Sequence, residues 1–185
     1  MARRIIRFDP PDQFIAGAIG EPGQRVFHLQ AIGRGIAATV VVEKSQIAVL
    51  ARRIVEMLKD LSEGGSVQLP SAPLPLPRKL PALAEPFTAE FRVGTIALAW
   101  DPVLTRLTLE FRDDMSVEDA SAPPPINDAS EGPDVLRVAL SVASALEFAE
   151  NALQLAAAGR PICPNCGVPL DPRGHRCARK AALLN

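Results

Sequence analysis

The sequence predicts an α+β fold: two strand-rich halves, each of about four antiparallel strands and one helix, sharing one core and followed by a cysteine-bearing tail. Three observations carry this. Short runs of alternating apolar and polar residues recur in both halves, as half-buried strands require. Each half ends in one longer segment with apolar residues at helical spacing. A proline-rich stretch separates the two halves. Each half alone is too small for a robust core, so one fused core is expected for the 185 residues.

Residues 1–62 form the first half. RIIRF at 4–8 reads as a short strand, stopped by Asp9-Pro10-Pro11-Asp12. QFIAGAI at 13–19 is extended, and Gly20-Glu21-Pro22-Gly23 is a turn by composition. RVFHLQAI at 25–32 puts Phe27, Leu29 and Ala31 on one face. IAATVVVE at 36–43 is rich in β-branched residues. The four strands read as an antiparallel meander. A helix follows, with Ser45 as its N-cap and Ile47, Leu50, Ile54, Leu58 and Leu61 on one face; Gly64-Gly65 ends it. Residues 63–86 contain Pro70, Pro73, Pro75, Pro77, Pro81 and Pro86 and read as an extended spacer.

Residues 87–158 repeat the plan. Phe87, Ala89, Phe91 and Val93 alternate with polar residues, and TIALAW at 95–100 forms the next strand. Leu107, Leu109 and Phe111 alternate with Arg106, Thr108, Glu110 and Arg112. Residues 113–134 hold seven acidic residues, no basic ones and four prolines, and read as a mobile acidic loop. The spacing of its carboxylates is not that of an EF-hand. VLRVAL at 135–140 is the fourth strand. Ser141 then caps a helix to about Ala158, with Leu146, Ala149, Leu153 and Ala156 inward and Glu147, Glu150, Asn151 and Gln154 outward.

The tail, 159–185, carries the strongest chemical signal. Cys163 and Cys166 form a C-x-x-C pair, and His175 and Cys177 follow with one residue between them. A tight turn after Cys163 can aim two thiolates at one ion, and an extended His-x-Cys can present both donors to the same side. Pro169, Pro172 and Gly174 supply the reversal that brings the pairs together. Three thiolates and one imidazole make a closed tetrahedral set, which suits a structural Zn²⁺ and leaves no position for a reactive water. All three cysteines of the chain lie here, which disfavours a disulfide framework. A redox C-x-x-C normally opens a helix after a strand, whereas Cys163 follows a helix end and Pro161.

Composition excludes some classes. Net charge is −1, so any affinity for nucleic acid must come from a local patch. The basic tail (Arg160, Arg173, Arg176, Arg179, Lys180) is the one candidate. Two apolar residues stand between Arg4 and Arg7, too few for a signal-peptide core, and no run is long enough to span a bilayer, so a cytoplasmic protein is expected. Gly17, Gly20 and Gly23 match neither a dinucleotide nor a P-loop pattern. His28 lies on the face opposite Phe27 and Leu29, as a surface or groove histidine, and Asp9 and Asp12 flank two prolines, as turn residues do. Three functions are consistent with these residues: a non-catalytic zinc-containing binding or adaptor protein, a nucleic-acid binder using the basic zinc tail, and an enzyme with a groove near His28 and Asp9/Asp12.

The phrases FDPPDQFIAGAIGEPGQR, FRVGTIALAWD and GRPICPNCGVPLDPRGHRC resemble the DUF3090 family of actinobacterial and chloroflexal proteins. The resemblance spans nearly the whole chain, and its pattern maps onto Cys163, Cys166, His175 and Cys177. After Cys177 this chain departs from it, with Ala178-Arg179-Lys180-Ala181. The family carries no assigned activity. Its genes tend to lie beside those of kinase-like and phosphatase-like proteins, which implies a protein partner in phosphate-related metabolism.

Overall fold

A computed structural model describes residues 3–21, 23–70, 81–85, 87–114, 125–158 and 177. The chain runs β1 (Ile5–Phe8), β2 (Gln13–Ile19), β3 (Val26–Gly33), β4 (Ile36–Val42), α1 (Lys44–Glu63), β5 (Ala89–Arg92), β6 (Thr95–Asp101), β7 (Arg106–Arg112), β8 (Val135–Ser141) and α2 (Val142–Ala157). The eight strands and two helices expected from the alternation are all present, in an α+β arrangement of two four-stranded sheets.

The pairing differs from two self-contained antiparallel halves. The first sheet has the order β1-β8-β7-β6 and the second β2-β3-β4-β5. Within each, three consecutive strands form an antiparallel meander. The fourth strand comes from the other half and pairs in parallel: β1 with β8, and β5 with β4. The two halves thus exchange their first strands. Parallel pairing needs a long crossover. Between β4 and β5 that crossover is α1 and the proline-rich stretch, while β1 and β8 are joined by the rest of the chain.

Alternation fixes which side of each sheet is dry. In β7, Leu107, Leu109 and Phe111 are fully buried on the core face. They meet Leu136, Val138 and Leu140 of β8, Leu29 and Val40 of the second sheet, and Ile47, Ile54 and Leu58 of α1 in one hydrophobic cluster. Phe14 joins the layers, stacking on Phe148 of α2 at 4.5 Å between centroids and lying 5.9 Å from Phe111. Each such aromatic pair contributes about 0.5–1.5 kcal/mol beyond the area it buries.

The helix boundaries correct two details. α1 starts at Lys44, not after Ser45; the backbone N–H of Glu43 donates to Gln46 Oε1 at 2.8 Å, one arm of a capping box. Ser141 caps α2 as expected, its hydroxyl accepting from Ser144 N at 3.1 Å. The buried face of α2 is Ala145, Phe148, Ala149, Ala152 and Leu155, rotated from the expected one; Leu146 and Leu153 sit only at its margin.

Two segments read as loops are bound to the outer faces of the sheets. Residues 81–85 and Phe87, at the end of the proline-rich stretch, lie across the second sheet. Buried Gln30 of β3 donates to Ala84 O at 3.1 Å and accepts from Ala84 N at 2.8 Å. Leu83 sits over Gly17 so closely that a Cβ there would fall 2.5 Å from Leu83 Cγ. Residues 125–134, within the expected mobile acidic loop, are tied to the first sheet through Pro125, Asn127, Asp128 and Pro133. Part of each segment is therefore a strap with specific partners rather than a solvated spacer.

Candidate functional site

The turn after β1, the start of β7 and the β8–α2 junction meet at one end of the molecule. They enclose a cleft of about 440 Å³ lined by Pro11, Asp12, Arg106, Ser144, Glu147 and Asn151, among others. The Asp9-Pro10 peptide is cis and turns the chain back beside Gly33. Asp9 forms an ion pair with Arg106 of β7. Asp12 is a turn residue: its N–H donates to Ile32 O at 2.8 Å, and its carboxylate accepts from Arg34 N at 3.2 Å. Ser141 and Ser144 hydroxyls are 2.9 Å apart. Asn151 Oδ1 is buried without a hydrogen-bond partner among the described residues. The cleft offers a guanidinium, two hydroxyls, two carboxylates and an acceptor without a donor among the described residues, a set suited to holding a small polar molecule.

His28 is not part of this cleft. It pairs with Gly17 and Val41 in the middle of the second sheet. It lies five residues along β3 from Gly33, about 17 Å at the strand rise. The expected groove combining His28 with Asp9 and Asp12 is therefore not formed: Asp12 borders the cleft, Asp9 pairs with Arg106 of its wall, and the histidine packs against Phe87. His28 is 7% exposed, and its ring meets Phe87 edge-on at 5.2 Å. Desolvation by burial pulls its pKa below the usual imidazole value, against a backbone hydrogen bond to Val26 that raises it. Nδ1 has no partner among the described residues. This is a core histidine rather than a surface or groove one.

A second constellation lies on the outer face of the first sheet. The register sets Arg7, Arg137 and Glu110 side by side on adjacent strands. Glu110 is fully buried. It accepts from Arg112 Nε at 2.7 Å and Arg137 Nε at 2.8 Å, with Arg3 at 3.5 Å. Asp128 of the strap bridges Arg7 at 2.6 Å and Arg137 at 2.5 Å, separating two like charges that the register would leave adjacent. Four guanidiniums share two carboxylates here, and backbone carbonyls of Pro125, Asn127 and Pro133 take further N–H groups. Hydrogen bonds from Arg137 and Arg7 hold the Asp128 carboxyl below its usual range. Burial pulls the Arg137 guanidinium down, but its bonds to Asp128 and Glu110 outweigh that and leave it raised.

Nothing in the alternation of the strands marks this cluster. Arg106, Glu110 and Arg112 share the polar face of β7, which period-two alternation assigns to water. Which strap covers that face is not encoded in the alternation. Of the zinc ligands read from the sequence, Cys163, Cys166 and His175 lie outside the described residues, and Cys177 is half-buried. Among the described residues, no helix is long and apolar enough to cross a membrane.

A family model described as a protein of unknown function (DUF3090) matches residues 6–177. That span takes in both sheets and all four residues of the cysteine and histidine set. No curated protein and no solved structure matches the chain.

Proposed function

The chain belongs to the DUF3090 family, and we propose that it is a non-catalytic binding or adaptor protein. Its C-terminal segment holds one structural zinc ion through Cys163, Cys166, His175 and Cys177, and a protein partner docks on the body. The carrying observation is the ligand spacing, C-x-x-C followed by His-x-Cys, which supplies a closed set of three thiolates and one imidazole. A closed set stabilises a short segment and activates no water, so the metal favours architecture over chemistry. Three of the described ionisable groups are taken up by packing: Asp9 is held by Arg106, Glu110 by three arginines, and His28 is buried beside Phe87.

Elemental analysis of the purified full chain tests the metal. About one zinc per chain is the expected result; a metal-free protein with an ordered tail overturns it. The partner reading is tested with purified kinase-like and phosphatase-like proteins of the kind the family resemblance implies. A complex with either supports an adaptor. Retention on nucleic acid that falls steeply with salt would instead favour the basic tail as the working surface.

The cleft beside Arg106 supports a second reading. The unpartnered Asn151 Oδ1 is what a site for a small polar ligand, of an enzyme or of a regulated adaptor, would leave behind.

A further inference from the structure

β6 is an edge strand of the first sheet, with β7 on one side and no described strand on the other. Natural edges are blunted by charge, proline, bulges or shortness. Two of the other edges follow that rule: β1 and β5 have four residues each and carry Arg7, Glu90 and Arg92. The remaining edge, β2, is also seven residues long and uncharged, but it is buried from Phe14 to Gly17, with Leu83 over Gly17. β6 has seven residues, Thr-Ile-Ala-Leu-Ala-Trp-Asp, with no charge before Asp101 and no proline. α1 runs alongside it, leaving a groove of about 800 Å³ lined by Val49, Leu50, Met57, Ile96 and Leu98. The same groove carries two charges, Arg53 and Asp60.

We infer that this edge and groove are the interface between two copies of the chain, with β6 pairing antiparallel to β6 of the second copy about a twofold axis near Leu98. The charges select this occupant. Gln46 anchors α1 at the start of β6, donating to Gly94 O at 3.1 Å. From Gln46, the midpoint between Arg53 and Asp60 lies about 16 Å along the helix, and from Gly94, Leu98 lies about 13 Å along the strand. The two midpoints nearly coincide. A twofold axis perpendicular to the sheet at Leu98 therefore sets Arg53 of each copy against Asp60 of the other, over a seam of Leu98 and Met57. An isologous interface has to be self-complementary in this way. Within one copy and among the described residues, Arg53 makes only an exposed pair with Glu56 at 3.4 Å, and the Asp60 carboxylate has no partner. The same axis brings the exposed hairpin tip, Val103 and Leu104, toward the exposed Val49 at the α1 N-terminal end of the other copy. The indole N–H of Trp100, buried without an acceptor among the described residues, lies on the same strand.

Sedimentation equilibrium on the full chain tests this together with charge reversal. The expected result is a mass twice that of the 19.7 kDa chain. Arg53→Asp and Asp60→Arg singly should each weaken the dimer about tenfold or more, since each reversal replaces two symmetric attractions by two repulsions. The double variant should restore the dimer. Both side chains are exposed, so folding is preserved, and circular dichroism checks it. Amide exchange at 95–101 should be slow in wild type and the double variant and fast in the singles. A chain that stays monomeric, leaving the edge to a strand of another protein, overturns the inference. So does a dimer indifferent to the reversals.

Discussion

Gln30 holds Ala84 with both ends of its side-chain amide, donating to the carbonyl at 3.1 Å and accepting from the N–H at 2.8 Å. The same Nε2 also donates to Thr39 Oγ1 at 3.0 Å, so nothing on this fully buried amide is wasted. A side chain here imitates a neighbouring strand and fixes the end of the proline-rich segment to the sheet. Gln30→Leu should destabilise the protein by about 1–3 kcal/mol, because the Ala84 backbone groups lose their partners. Urea unfolding measures the loss, and faster amide exchange at Ala84 locates it.

The approach of Leu83 to Gly17 yields a paired prediction. Gly17→Ala should cost about 1–3 kcal/mol through overpacking. Leu83→Ala alone should also destabilise. The double variant should lose less than the sum, since the smaller residue at 83 clears the space that the new methyl needs. Additive losses would show that the strap is displaced before the two residues meet.

Three guanidiniums, those of Arg3, Arg112 and Arg137, converge on the buried Glu110 carboxylate on the first sheet's outer face. Glu110→Gln keeps the shape and removes the charge. Breaking one side of such a buried group should cost about 3–5 kcal/mol, well above the effect of an exposed pair such as Arg53 with Glu56. Chemical denaturation of the two variants, Glu110→Gln and Glu56→Gln, compares them directly.

Acid should destabilise the protein in two windows. His28 has a lowered pKa when folded, so the unfolded chain binds its proton first. Stability therefore falls as pH drops below the unfolded imidazole value, about 6.5, and the loss is complete below the folded value. His28→Phe should flatten that limb. Asp128 also has a lowered folded pKa, so its contribution is present above the ordinary carboxylate range and is lost as pH falls through the folded value. Asp128→Asn should remove only this second, more acidic limb. Denaturation midpoints across the pH range separate the two.

For the tail, Cys163→Ser should free residues 160–185 to proteolysis and lower the zinc content while the thermal transition of the body persists. Loss of the whole fold would show the segment to be integral to the core.

The strands were legible because half-buried strands write their burial into alternate residues; Leu107, Leu109 and Phe111 show it plainly. The partner of β1 was not. Four residues, Ile5–Phe8, define a face and say nothing about which edge they join. The buried face of α2 was misread for a related reason: with alanine and leucine around most of its circumference, no single stripe stands out, and Phe148 finds its place only through Phe14. The depths of His28 and Glu110 were invisible because they depend on straps that carry no periodic signal. The cleft was half legible. Asp9 and Asp12 marked the turn, but Arg106 reaches Asp9 across 97 residues of sequence.

The strand exchange also sets an order of events during synthesis. Of the eight described strands, β1 leaves the ribosome first and its hydrogen-bonding partner β8 last. The second sheet can close once β5 has emerged, but the first must wait until nearly all of the body exists. Throughout that interval β1 waits without its partner, so the final locking step of the first sheet joins the two described strands farthest apart in sequence and can follow only once translation has passed β8.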